Sequence, residues 1–328
     1  MCGWLPPTAT IHTFRASMHE ADTVQFMARR VPLPVRDGLG PTRIRMPEYS
    51  PFGTVLEYLV ARFPQDESRL RYKLNAREVV DADGQALTEN SPLVPRSDIY
   101  LYRDPPVEPV VPFPIEIVHH DENILVIDKP HFLATMPRGA YIARSALVLL
   151  RRRFDLPELS PAHRLDRLTA GVLVFTVRPD VRRAYQELFA ERAVTKIYDA
   201  VARYDPDLEF PRTVRSRMIK ERGVLRAEEV PGEPNAETFL ELSEHDGRHG
   251  MYTLHPKTGR THQLRLHMNS LGIPIMGDNF YPDFYDVAGD DYSNPLRLLA
   301  RSISFRDPFT GRERTFVSNR KLELPTRA

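Results

Sequence analysis

Alternation of apolar and polar positions divides the chain into a short irregular start, a small mixed unit and a longer strand-rich region. In TVLEYLVARF (54–63), apolar residues at 55, 56, 59, 60 and 63 form a helical stripe. The stretch from Ser68 to Arg103 then predicts a second helix, a hairpin turning on DADG (81–84) and a closing strand at IYLYR. After the proline-dense DPPVEPVVPFP (104–114), IEIVHHDENILVIDKP reads as two strands around a turn, RSALVLLRRRF (144–154) as a helix and GVLVFTV (171–177) as a buried strand. PDVRRAYQELFAERAV carries the strongest helical period, with Val181, Ala184, Tyr185, Leu188 and Phe189 on one face and Asp180 as its expected N-cap. TKIYDAVARY, ETFLELSE and GMYTLHP are further strands, GRTHQLRLHMNSLG (259–272) is a helix stopped by Gly272, and RLLARSISF (297–305) is a late strand. Strands outnumber helices without regular βαβ alternation, which predicts an α+β fold with a mostly antiparallel sheet.

Length and composition sharpen this picture. A chain of 328 residues suits two domains. We divide it into an N-terminal extension (1–50), a small α+β domain (51–104), a Pro-rich linker (105–114) that is extended and semi-rigid, and a large domain (115–328). Formal net charge is +1, from 45 basic and 44 acidic residues, so a polyanionic partner would have to meet locally segregated charge. A single cysteine, Cys2, excludes a disulfide framework and a thiolate metal site. The start lacks a charged segment leading into a long apolar one, and the apolar runs are too short to span a bilayer, so the expected setting is cytoplasmic with no membrane partner.

Four segments stand out chemically. HRLDRLTAG (163–171) sets Asp166 between Arg164 and Arg167 next to His163, where neighbouring positive charge would hold the carboxylate ionised; a turn-forming Asp is the plain alternative. In the 254–278 stretch, Leu264, Met268 and Leu271 anchor one helix face, while Thr261 and Arg265 share another near the helix start, beside Arg260 and His262. That second face reads equally as a solvated surface. His262 and His267 are five apart without the intervening Glu of a metalloprotease helix, so no metal site is read. Tyr198 shares a strand face with Lys196, Ala200 and Ala202 and fits either a core position or a platform for a planar ligand. RTVRSRMIKERGVLR (212–226) is the most basic stretch; Arg215, Arg217, Lys220 and Arg222 suit an exposed hairpin on a phosphate backbone, or a solvated ribbon offset by Glu228 and Glu229.

In this order the segments resemble the RluA-type pseudouridine synthases. HRLDRLTAG is similar to that family's signature around its aspartate, KIYDA to its Lys-x-Tyr-x-Ala strand, NAETFLEL to its Ala-x-Thr strand and GRTHQLRLHMNSLGIPIMGDNFY to its long helix-and-turn motif, with DKPHFLATMP resembling the Lys-Pro segment upstream. The resemblance spans about 113–318. It implies a pseudouridine synthase fold with a central mostly antiparallel sheet and an RNA-binding cleft. It assigns catalysis to Asp166, with Tyr198 stacking on the uracil and Arg265 pairing with the aspartate, and lets Arg164 fill the gap left by a flipped nucleotide. Residues 51–104 weakly resemble the small alpha-L RNA-binding domain. Ala170, Phe132 and Leu299 depart from the residues usual at their positions and mark a divergent subfamily.

The implied reaction isomerises uridine to pseudouridine in structured RNA and demands no metal, redox step or cofactor. Ribosomal RNA is the first expected partner and transfer RNA the second, with the protein acting as a monomer. A non-catalytic RNA-binding or folding factor that keeps the cleft is the alternative from another class, and a metal-dependent hydrolase built on the histidines is a third.

Overall fold

The structure is a computed structural model that describes residues 31–325 except Arg222. The first thirty residues of the expected extension therefore lie outside it. The small unit comprises β1 (Thr42–Arg45), α1 (Val55–Arg62), α2 (Glu67–Asn75), β2 (Val79–Asp81) and β3 (Asp98–Leu101). Its strands pair in the order β1-β3-β2, with β3 antiparallel to both neighbours. Thus β1, within the span read as an extension, is part of this sheet. Thr54 and Glu57 form a reciprocal capping box that starts α1. Leu56, Leu59, Leu70 and Leu74 pack the two helices on Val79, Ile99 and Leu101.

The large unit runs β4 (Glu116–His120), β5 (Ile124–Lys129), α3 (Ala146–Phe154), β6 (Ser160–Pro161), β7 (Ala170–Thr176) and α4 (Pro179–Ala190). It continues through β8 (Val194–Arg203), β9 (Arg212–Ile219), β10 (Glu228–Val230), β11 (Ala236–His245) and β12 (His249–Pro256) to α5 (Gln263–Ser270), β13 (Leu298–Arg306) and β14 (Glu313–Val317). Eleven strands form one sheet in the order β10-β9-β11-β12-β8-β13-β7-β5-β4, with β14 on β13 and β6 on β7. Among the described residues only β13 and β7 pair in parallel. The expected α+β architecture with a mostly antiparallel central sheet is what the chain adopts.

Two details follow from local chemistry. Asp180 does not cap α4: the N-cap is Arg178, and Pro179 occupies the first turn. Proline's fixed φ and missing N–H suit that position, so the helix begins one residue before the expected acid, which instead lies 3.4 Å from Arg178. Gly171, at φ +112°, lets β7 run against β13; a Cβ there would stand 2.2 Å from the Ala300 carbonyl oxygen. That close approach locks the strand leaving the Asp166 turn to the strand beside Tyr198, since Ala300 also pairs with Tyr198.

The Pro-rich linker is docked. Glu108 is buried and accepts backbone N–H bonds from Ile142 (2.8 Å), Ala143 (2.6 Å) and Arg144 (3.0 Å). Phe113 stacks on Phe132 at 6.3 Å, and Tyr292 donates to the Val110 carbonyl.

Candidate active site

Asp166 sits in the turn between β6 and β7. The turn is fastened, residue by residue, to the segment after β5. The buried Thr135 hydroxyl donates to the Leu165 carbonyl (2.7 Å) and accepts from the Leu165 N–H (3.2 Å). Lys129 Nζ donates to the carbonyls of Leu133 (2.8 Å), Pro130 (3.0 Å) and Arg167 (3.3 Å), and His131 Nδ1 donates to the Leu168 carbonyl (2.7 Å). Burial pushes the Lys129 ammonium down to about 7, with the Asp166 charge pulling the other way. The carboxylate thus rests on a turn whose flanking peptides cannot shift without breaking buried hydrogen bonds. Thr135→Val, which removes both Leu165 bonds, should lower kcat about ten-fold or more with a smaller change in KM, and Thr135→Ser should restore it; steady-state kinetics checks this.

Arg265 comes from α5 and is only 2% exposed. Its Nε donates to Asp278 Oδ2 (2.7 Å) and its Nη2 to Asp278 Oδ1 (2.5 Å), a bidentate fork. Nη1 is left 3.8 Å from Asp166 Oδ2. The expected Arg265–Asp166 pairing is present, but the two-pronged face of the guanidinium is spent on Asp278. Burial opposes the Arg265 charge, and Asp278 followed by Asp166 more than offsets it. Asp278 in turn accepts the Phe280 and Tyr281 N–H groups, and the Phe280 ring lies 4.8 Å from the guanidinium carbon.

His262 is the N-cap of α5, in the left-handed region at φ 59°. Its Nε2 is 3.9 Å from Asp166 Oδ2, and its Nδ1 is 3.2 Å from the Tyr281 hydroxyl. Tyr198, on β8, is half-buried and lines the same cavity. Burial, and behind it the Asp166 charge, push its phenol above the ordinary value, so at neutral pH Tyr198 offers an intact aromatic face and not a phenolate.

The cavity holds about 170 Å³ and is lined by Asp166, Tyr198, Arg265, His262, Arg164 and Arg260, together with Lys196. Asp166 is the sole carboxylate among the described lining residues, against four Arg or Lys side chains. Its floor is held by Gln263, whose side-chain oxygen accepts from Thr258 and the Arg260 N–H while its amide donates to the Glu237 carbonyl and Thr238.

Other expected site residues lie at the edge of the cavity or outside it. Arg164 reaches the exposed wall of the cavity and Arg167 turns away to lie 4.7 Å over Tyr141, so the positive charge nearest Asp166 is that of Arg265, with the His262 ring beside it held neutral by burial. His163 stacks on Phe189 at 4.4 Å and accepts the Val174 N–H at Nε2. Burial drives it down to about 3, so it anchors the turn as a neutral ring. Arg215 pairs with Glu237 at 2.9 Å, which also holds Lys257, so its charge is already met. Arg217 is exposed on β9, Lys220 bonds the Glu221 carbonyl and sits close enough to lower the His262 pKa, and Arg222 falls outside the described residues. His262 and His267 do not converge: His267 is fully buried between Thr238 and Ser216.

Sequence reasoning did not reach Lys129, Thr135, Gln263 or Asp278 as parts of the site. Lys129 and Asp278 fell inside segments picked out for other reasons, but their partners lie on distant parts of the chain. No local spacing marks such pairs.

The histidines give the fold an acid sensitivity. Burial holds His131, His262 and His267 down to about 4 and His163 to about 3. The unfolded chain takes up these protons near pH 6.5 and the folded chain only near pH 4, or near pH 3 for His163. Between those values the unfolded state binds more protons, so stability falls as pH falls. Each such group contributes a slope of about 1.4 kcal/mol per pH unit. Urea unfolding from pH 7 to 4.5 should show a steep loss, and His267→Gln should flatten it by about one proton's worth.

The comparisons with known proteins agree with this geometry. A family model described as RNA pseudouridylate synthase matches residues 123–270. The Synechocystis protein slr1592, named an uncharacterized RNA pseudouridine synthase, is 27% identical over 69% of this chain and 79% of its own. Mouse pseudouridylate synthase RPUSD2 is 36% identical over 53% of this chain, which spans only 31% of that longer protein. The dual-specificity RNA pseudouridine synthase RluA of Haemophilus influenzae is 30% identical over 65% of this chain and 94% of RluA. A chain that matches nearly the whole of RluA, across the strands and helix that build this pocket, belongs to the RluA family of RNA pseudouridine synthases.

Proposed function

We propose that this enzyme isomerises uridines in folded RNA, ribosomal RNA first and transfer RNA second, with Asp166 as the reacting group. The observation that carries the proposal is the single carboxylate of the cavity, set 3.8 Å from the Arg265 guanidinium and in one cavity with the Tyr198 ring. The reaction breaks the bond between N1 of uracil and C1′ of the ribose, turns the base, joins C5 to the same carbon, releases the C5 proton and leaves N1 to take up a proton, so that the product is an isomer of the substrate. The target must first leave its stack, at a cost of a few kcal/mol. Stacking on Tyr198 offsets part of that, at about 1–3 kcal/mol per base. Asp166 then acts either on C6 of the base or on the sugar carbon as N1 departs. Arg265 holds the carboxylate in place and, in a site sheltered from water, opposes its charge without moving. Arg164, Lys196 and Arg260 at the cavity wall face the phosphates on either side of the flipped nucleotide.

Support for a large folded target comes from the small unit, where Arg43, Arg45, Arg62 and Arg103 line a groove between β1 and the helices. A second basic surface, joined by a docked linker, suits an RNA that extends well beyond the modified position. The test is to map pseudouridine across total RNA from cells with and without the gene. Loss of one or a few ribosomal sites supports the reading. Loss confined to transfer RNA would reassign the substrate, and no loss anywhere would refute it.

A further inference from the structure

Beside the cavity, the segment between α5 and β13 carries aromatic side chains that the fold leaves in solvent. Phe284 is 47% exposed and Tyr285 44% exposed, whereas Phe280 just before them is partly covered. Phe284 connects to the site through a row of rings. His262, with Nε2 3.9 Å from Asp166, lies 5.1 Å from Phe280, and Phe280 lies 5.7 Å from Phe284. Positive charge flanks the row. Arg226, at the base of the β9–β10 hairpin tip, donates to the Pro282 carbonyl (2.8 Å) and lies 5.0 Å over Tyr281, and Lys220 acts electrostatically on His262.

We propose that Phe284 and Tyr285 form a ledge on which an unpaired nucleobase next to the target uridine stacks. This rests on the reading of the cavity as a uridine site. Large aromatic faces kept in water, continuous with a basic cleft, are the combination that binds single-stranded nucleic acid: cations track the backbone and rings take the bases. The ledge's own charge fixes which part of the nucleotide meets it. Asp283 and Asp286 flank the two rings and are exposed, so a phosphate over the ledge is repelled while an uncharged base is not. The backbone is then drawn to the side of Lys220 and Arg226, and the base turns inward onto the aromatic faces. A base held there steadies the gap that opens when the uridine flips.

The test compares two fluorescein-labelled probes, a 12-nucleotide oligouridine and its counterpart with every base but one central uracil removed. Both carry the same phosphates. The wild type should prefer the oligouridine, and a Phe284→Ala/Tyr285→Ala variant should bind it about ten-fold more weakly while binding the abasic probe as the wild type does. Phe284→Trp should retain the preference, and the dependence of affinity on salt should be the same in all three. Equal affinity of wild type and double variant for oligouridine overturns the proposal. So does an equal loss on the abasic probe, and so does a wild-type dimer that the double variant dissolves, because a second copy would then occupy the ledge. Tritium release from uracil C5 by the wild type is scored separately: its absence counts against the isomerase reading and leaves the binding comparison intact.

Discussion

Asp166→Asn should abolish pseudouridine formation, by at least about a thousand-fold in single-turnover rate, while leaving RNA affinity at or slightly above that of the wild type. The substitution keeps the side chain's size and its ability to accept a hydrogen bond. It removes the negative charge and the nucleophilic oxygen together. The turn itself is held by Thr135, Lys129 and His131 through main-chain atoms, so it does not depend on the carboxylate. RNA affinity is preserved because the four cations of the cavity remain and lose the one anion among them. Fluorescence binding with a rate assay on the same RNA checks both halves. Loss of binding in parallel with loss of rate would mean that the carboxylate shapes the site and does not react in it.

Asp278→Asn should cost about 3–5 kcal/mol of folding stability and most of the activity. The Arg265 side chain is 2% exposed and that of Asp278 fully buried. Removing the acid leaves a guanidinium charge without its bidentate partner, at a depth where water cannot replace it. The asparagine oxygen can still accept from the Phe280 N–H, so the loss reports the charge pair more than the turn. Activity falls because the fork on Asp278 is what aims Nη1 at Asp166. Adding Arg265→Met to Asp278→Asn should recover a large part of the stability and none of the turnover, since an apolar side chain carries no desolvation cost. Denaturant unfolding of the three variants separates the two effects. A double variant no more stable than Asp278→Asn alone would show that the pair is not what the fold depends on.

The order of strands and helices was legible in the chain because burial imposes periods of two and 3.6 that no partner is needed to read. GVLVFTV became β7, fully buried along its length, and the stripe through Val181 and Tyr185 became the inner face of α4. The site was legible where a resemblance carried residues from separate segments into one place: Asp166, Tyr198 and Arg265 do meet. It was not legible where neighbours in sequence were taken as neighbours in space. In a tight turn, successive side chains diverge. Arg164 therefore reaches the exposed cavity wall and Arg167 turns to Tyr141, while the charge facing Asp166 arrives from α5. The anchoring role of His163 was not legible because its acceptor bond to Val174 and its stack on Phe189 are tertiary. Asp180 was displaced as a cap by Pro179, a competition local enough to have been weighed from the residues alone.

The most direct test of the central claim is to incubate the purified protein with ribosomal and transfer RNA tritiated at uracil C5. Joining C5 to the sugar expels that hydrogen, so the account predicts tritium released to water in step with pseudouridine formed, and none with Asp166→Asn. Release by the Asp166→Asn variant at the wild-type rate, or no release from either RNA by the wild type, would contradict it.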